Sequence, residues 1–114
     1  MNNILITGIT GFVGSHLCDY ILNNHKEVKI YGTKRYHLSR LEHVKHFYSR
    51  INWIDCDITD SRATLELIEE ANPDIIFHCA AESFVSPSWR HPRRYMDVNY
   101  LGTVNLLDAL QKLN

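Results

Sequence analysis

The stretch Ile4-Leu5-Ile6-Thr7-Gly8-Ile9-Thr10-Gly11-Phe12-Val13-Gly14 decides the fold. A short apolar run stops at closely spaced glycines and an amphipathic segment begins at once, which reads as a strand, a tight turn and the opening of a helix. The glycines allow a sharp turn, let backbone amides come up to a bound anion and seat the new helix close to the strand. Amides left open at the helix start, with the helix dipole behind them, suit a pyrophosphate. The strand-to-helix context raises the motif above a structural glycine turn.

Working outward, Val13, Leu17 and Ile21 recur every four residues, with Cys18 and Leu22 on the same stripe. This predicts a helix packed on a sheet and ending near Asn23-Asn24-His25. Val28 and Ile30 mark a second strand that runs out at Gly32-Thr33-Lys34-Arg35, so Ile4 to Tyr31 forms a βαβ unit with parallel strands. In such a unit an acid about 20 positions after the glycines bonds the ribose 2′-hydroxyl of a bound dinucleotide. Here Lys34 and Arg35 stand instead. Their charge, and the planar donor fork of Arg35, suit a 2′-phosphate, so the expected cofactor is NADP in preference to NAD.

Residues 34–50 are locally basic, with Lys34, Arg35, Arg40, Lys45 and Arg50 opposed by Glu42, and Leu38, Leu41 and Val44 give a weak helical stripe. Phosphate attraction and subunit contact are the expected uses. His37, His43 and His46 lack a carboxylate or thiol to complete a ligand set, so no metal site is expected.

Ile51, Trp53 and Cys56 bracket a third strand finishing at Asp55-Cys56-Asp57-Ile58. Asp57 and Ile58 fall at its carboxyl end, where a carboxylate can accept from an adenine amino group. Thr59-Asp60-Ser61 then supplies a helix cap, assigned to Asp60. The following helix buries Ala63, Leu67, Ile68 and Ala71, presents Glu66, Glu69 and Glu70 to water, and is stopped by Pro73. Ile75 to Ala81 is a nearly continuous apolar run, expected to be a strand buried on both faces. Small Ala80 and Ala81 at its end leave room for a nicotinamide or ribose, and His78 is expected to be a hydrogen-bonded core histidine. The loop from Glu82 to His91 carries Ser83, Ser86, Ser88, Trp89 and Arg90 toward the mouth of a site. A last helix opens at Pro92 and runs to about Leu113, with Val98, Leu101, Asn105 and Leu106 inside.

The whole chain sets limits on this reading. Its 114 residues, 45% hydrophobic and 22% charged, fit one α/β domain over 1–114. A formal charge of −1 offers no general attraction for nucleic acid or an anionic membrane. The run Ile4 to Ile6 is too short for a signal core or a membrane span, so a cytoplasmic protein is expected. Cys18, Cys56 and Cys79 are too widely spaced for a zinc framework and read as reduced core thiols.

With those pieces in place, the chain resembles the extended short-chain dehydrogenase/reductase family of nucleotide-sugar enzymes along essentially its whole length. The matching features are Thr7-Gly8-x-x-Gly11-Phe12-x-Gly14-Ser15-His16, Asp57-Ile58-Thr59-Asp60, Ala80-Ala81-x-Ser83-x-Val85 and Val98-Asn99-x-x-Gly102-Thr103. Within that family, Gly8-Ile9-Thr10-Gly11, Lys34-Arg35 and Pro73-Asp74 look most like GDP-mannose 4,6-dehydratases, which use NADP. Phe12-Val13 and Glu82 depart from the usual dehydratase residues at those positions.

The resemblance implies a Rossmann-like doubly wound parallel sheet, here its N-terminal half with strand order 3-2-1-4, without the later strands and the substrate domain. It places the pyrophosphate on Gly8 to Val13, including Thr10, Gly11 and Phe12, and the 2′-phosphate on Arg35. Adenine goes to Asp57 and Ile58, the nicotinamide side to Ala80, Ala81 and Ser83, and a further cofactor contact to Tyr95. It also implies a nucleotide sugar such as GDP-mannose as partner, and a homo-oligomer when complete.

Chemistry in that family depends on a Tyr-x-x-x-Lys pair, which this sequence lacks: the residues four after its tyrosines are Asn24, Arg35, Arg40, Asn52, Asn99 and Val104. No catalytic residue is therefore assigned, and no turnover is expected of this chain alone. The alternatives that share every residue above are half of a 4-epimerase or 4-keto-6-deoxy-sugar reductase, and a non-catalytic NADP-binding module that assembles with a partner.

Overall fold

The computed structural model describes residues 2–35, 39–80 and 90–113. Four parallel strands, β1 (Asn3–Thr7), β2 (Lys29–Lys34), β3 (Asn52–Asp55) and β4 (Ile75–His78), form one sheet in the order β3-β2-β1-β4, as the sequence leads one to expect. Helix α1 (Phe12–Asn24) links β1 to β2, a 3-10 turn (Lys45–Arg50) precedes β3, and α2 (Ser61–Ala71) links β3 to β4. After β4 come α3 (Pro92–Met96), a π turn (Asp97–Leu101) and α4 (Gly102–Leu113).

Alternation along the strands divides the core into two layers. Ile4, Ile6 and Ile30 face one side, where Cys18, Ile21 and Leu22 of α1 meet Val44 and Phe47 from the 3-10 turn region. Leu5 and Tyr31 face the other, against Leu67, Ile68 and Ala71 of α2 and Leu106 and Ala109 of α4. The opening of β1 is fastened to the α2–β4 junction: the Asn3 amide donates to Asp74 Oδ2 at 2.8 Å, and its side-chain amide donates to the Ala71 carbonyl at 3.1 Å. Asp60 caps α2 as expected, accepting from the amides of Arg62 and Ala63. Asn72 closes it in the left-handed region at φ 40°.

Four expectations are corrected. Val13 is 66% exposed, because the buried stripe of α1 starts at Gly14 and Ser15. In α2, Thr64 is fully buried while Ala63 is only partly so. Strand β4 ends at His78, and Ile75 is 45% exposed, since among the described residues β4 pairs only with β1 and lies at the end of the sheet. In the last helix Leu101 points outward and Gly102 inward, because the π turn adds a residue to one turn and shifts the buried face by one position. Phe47, 1% exposed, was absent from the expected core; Leu38 lies outside the described residues.

Cys18 and Cys56 are buried and Cys79 is half-buried, all as free thiols. Burial pushes the first two thiols up to about 12 and about 11. Among the described residues no helix is long and apolar enough to cross a membrane.

Candidate functional site: a basic cleft at the carboxyl ends of the strands

A cleft of about 330 Å³ opens where the chain leaves β1, β2, β3 and β4. In a parallel sheet this is the crevice at which strand order reverses, between β1 and its two neighbours, and it is where such folds take ligands. Its floor is the glycine turn. Gly8 has φ 71°, and a β-carbon there would come within 2.6 Å of the Ala80 nitrogen, so β1 and β4 close on each other only because the side chain is missing. At Gly14 a β-carbon would collide with the Gly8 carbonyl oxygen, so the start of α1 rests directly on the turn. The turn is closed by the Gly11 amide donating to the Gly8 carbonyl at 3.0 Å. Phe12, Val13 and Gly14 form the first turn of α1, whose N-cap, Gly11, has no side chain to occupy their amides.

Gly8, Thr10, Gly11, Lys34, Arg35, Asp57, Ile58 and Ala80 all border this cleft. Phe12, Val13 and Gly14 lie beside it at the start of α1, the first two with exposed side chains. Tyr95 instead lines an adjacent groove with Pro92, Met96, Asn99 and Tyr100. Ala81 and Ser83 fall outside the described residues.

Sequence reading missed several residues on these walls: Thr33, Ser39, Cys79, Val98 and above all Arg94. Arg94 sits in α3, far along the chain from Asp57, and no local pattern links the two. Arg40, read only as part of a basic run, also borders the cleft. Among the described residues the walls thus carry Arg35, Arg40 and Arg94 against Asp57, with Lys34 balanced by Asp55, an excess of positive charge suited to a phosphorylated ligand. Lys34 Nζ lies 3.2 Å from Asp55 Oδ1, and the Arg35 amide donates to Ser39 Oγ at 2.8 Å.

Asp57 is held as an ionised acceptor. Burial works against its charge, but the Thr59 amide at 3.0 Å and hydroxyl at 2.8 Å both donate to Oδ1, and Arg94 and Arg35 lie near enough to help. The result is a carboxyl below its ordinary range. The neighbouring Ile58 carbonyl accepts from the Asn105 side chain at 2.7 Å, which ties this wall to α4.

The family profile described as GDP-mannose 4,6 dehydratase matches residues 5–114. The chain belongs to that family. It is 33% identical to a GDP-mannose 4,6-dehydratase of Yersinia enterocolitica over 97% of its own length and 32% of that protein. Among solved structures it is similar to dTDP-glucose 4,6-dehydratase of Bacillus anthracis in complex with NAD, with TM-score 0.81, 28% identity, and 99% of this chain on 34% of that one. It is also similar to a UDP-glucose 4-epimerase of Thermus thermophilus in complex with NAD, with TM-score 0.80, 27% identity, and 96% of this chain on 33% of that one. The chain spans about a third of the length of the curated relatives it matches. Its fold is therefore the Rossmann-like, N-terminal portion characteristic of the nucleotide-sugar dehydratase/epimerase family.

Proposed function

We propose that this chain is the cofactor-binding portion of an NADP-using nucleotide-sugar 4,6-dehydratase, with GDP-mannose as the sugar nucleotide of the whole enzyme. The observation that carries this reading is the meeting of the glycine turn, Asp57 and three arginines in one cleft. The donor set fits a nicotinamide dinucleotide. Gly8 and Gly14 leave a cradle that any β-carbon would fill, and its open amides suit the pyrophosphate. Asp57, kept ionised, accepts from the adenine amino group, and Arg35 takes the 2′-phosphate. Ala80, followed in sequence by Ala81 and Ser83, forms the nicotinamide side.

When bound, the dinucleotide supplies hydride acceptance and return. This chain's own residues bind and orient it. They do not move the substrate proton: no Tyr-x-x-x-Lys pair lies within the 114 residues, so the chain by itself binds without turnover. Nuclear magnetic resonance of the labelled chain tests the assignment. Adding NADP+ is expected to shift the amides of Gly8 to Gly14, Asp57 and Ala80. Saturable shifts confined to other surfaces would overturn it.

A further inference from the structure

The end of β1 and the end of β4 are joined by more than the strand ladder. The Thr7 carbonyl accepts from the Cys79 amide at 3.0 Å, and the Thr7 hydroxyl accepts from the Ala80 amide at 3.2 Å. One residue therefore holds two successive amides of the segment that leads along the cleft wall. The same hydroxyl lies 2.7 Å from His78 Nδ1, while His78 Nε2 lies 3.1 Å from Thr103 Oγ1 on α4. Thr103 Oγ1 donates in turn to the Asn99 carbonyl at 2.9 Å.

Counting protons fixes the direction of this chain. Thr103 gives its only hydroxyl proton to Asn99, so toward His78 it can only accept, and Nε2 must carry the hydrogen. In the neutral ring Nδ1 is then a bare acceptor. Thr7, already accepting from Ala80, gives its proton to Nδ1. Each donor is used once, and Thr7 is fully buried, so water does not stand in for a partner at its hydroxyl.

We propose that His78, as the neutral Nε2–H tautomer, is a positioning residue: it orients the Thr7 hydroxyl so that this hydroxyl clamps the Ala80 amide on the dinucleotide side of the cleft, and it fastens that wall to α4 through Thr103. The inference rests on the cofactor reading for its functional meaning, but the clamp itself does not. Protonation of Nδ1 would turn the acceptor into a donor and leave the buried Thr7 proton without its partner. Burial favours the neutral ring and holds His78 below the ordinary histidine range.

Two readouts decide the matter without any cofactor. Long-range proton–nitrogen spectra of the labelled chain near neutral pH are expected to find His78 protonated on Nε2 alone; an Nδ1–H tautomer or a charged ring overturns the proposal. Amide hydrogen exchange at Ala80 is expected to quicken about fivefold to tenfold in Thr7→Val and to return to the parent rate in Thr7→Ser, the size expected for one hydrogen bond. Unchanged exchange in a folded Thr7→Val chain overturns it as well. The tautomer measurement uses the parent chain, so it stands even if Thr7→Val does not fold. NADP+ titration then joins the clamp to function: weaker binding in Thr7→Val, restored in Thr7→Ser, is expected. Equal binding in all three limits Thr7 and His78 to a structural role and overturns the positioning claim. A parent chain that binds no dinucleotide defeats the cofactor reading and, with it, the positioning role, while the tautomer and exchange results still decide whether the clamp exists.

Discussion

Lys34 and Asp55 stand opposite one another in the parallel register of β2 and β3, and their side chains form an ion pair at 3.2 Å. Both Lys34 and Arg35 border the cleft, but the pairing gives them different duties: Lys34 is engaged across the strands by Asp55, whereas Arg35 lies past the end of β2, on the cleft wall with Asp57. Arg35→Ala is therefore expected to weaken NADP+ binding by about tenfold to a hundredfold, the range for one charge-assisted contact, and to leave NAD+ within about twofold. Lys34→Ala is expected to change stability by less than about 1 kcal/mol, as for partly exposed ion pairs. Parallel titrations of both dinucleotides check this; equal losses of NADP+ and NAD+ in Arg35→Ala would contradict it.

Gly14 has no room for a side chain over the Gly8 peptide. Gly14→Ala must lift α1 off the turn, and a destabilisation of roughly 1–3 kcal/mol is expected from overpacking against backbone. Urea unfolding measures it. A midpoint equal to that of the parent would show that the helix start is more loosely seated than described.

The strand order came from the resemblance, while the glycine turn and the capping role of Asp60 were legible in the sequence because each is a local pattern with a local cause. Arg94 and the link from Thr7 through His78 to Thr103 were not, since they depend on which elements the sheet order brings together. Leu101 was misread for a different reason. A constant helical period fails where the π turn shifts the phase, and that turn leaves no sign in hydrophobic spacing. Val13 and Ile75 follow the apolar pattern but lie where the sheet offers no cover.

Acid should reveal Asp57. Its folded-state carboxyl lies below its ordinary value of 3.8, so the stabilisation is fully present above that value and is lost as pH falls through the lower, folded one. Asp57→Asn is expected to be less stable than the parent near neutrality, with the gap narrowing as pH drops below 3.8. Urea midpoints taken across the acid range follow this directly. A gap that widens on acidification would reverse the assigned sign.

Asp60 accepts both the Arg62 and Ala63 amides through Oδ1, at 3.0 and 3.1 Å. Asp60→Ala should cost about 1 kcal/mol, the usual loss of an N-cap, without altering dinucleotide affinity by more than about twofold. Thermal unfolding with and without NADP+ separates the two effects.

Calorimetric titration of the parent chain with NADP+ and NAD+ tests the central claim most directly. The account predicts saturable one-to-one binding, tighter for NADP+ than for NAD+. A folded chain that takes up neither dinucleotide would contradict it.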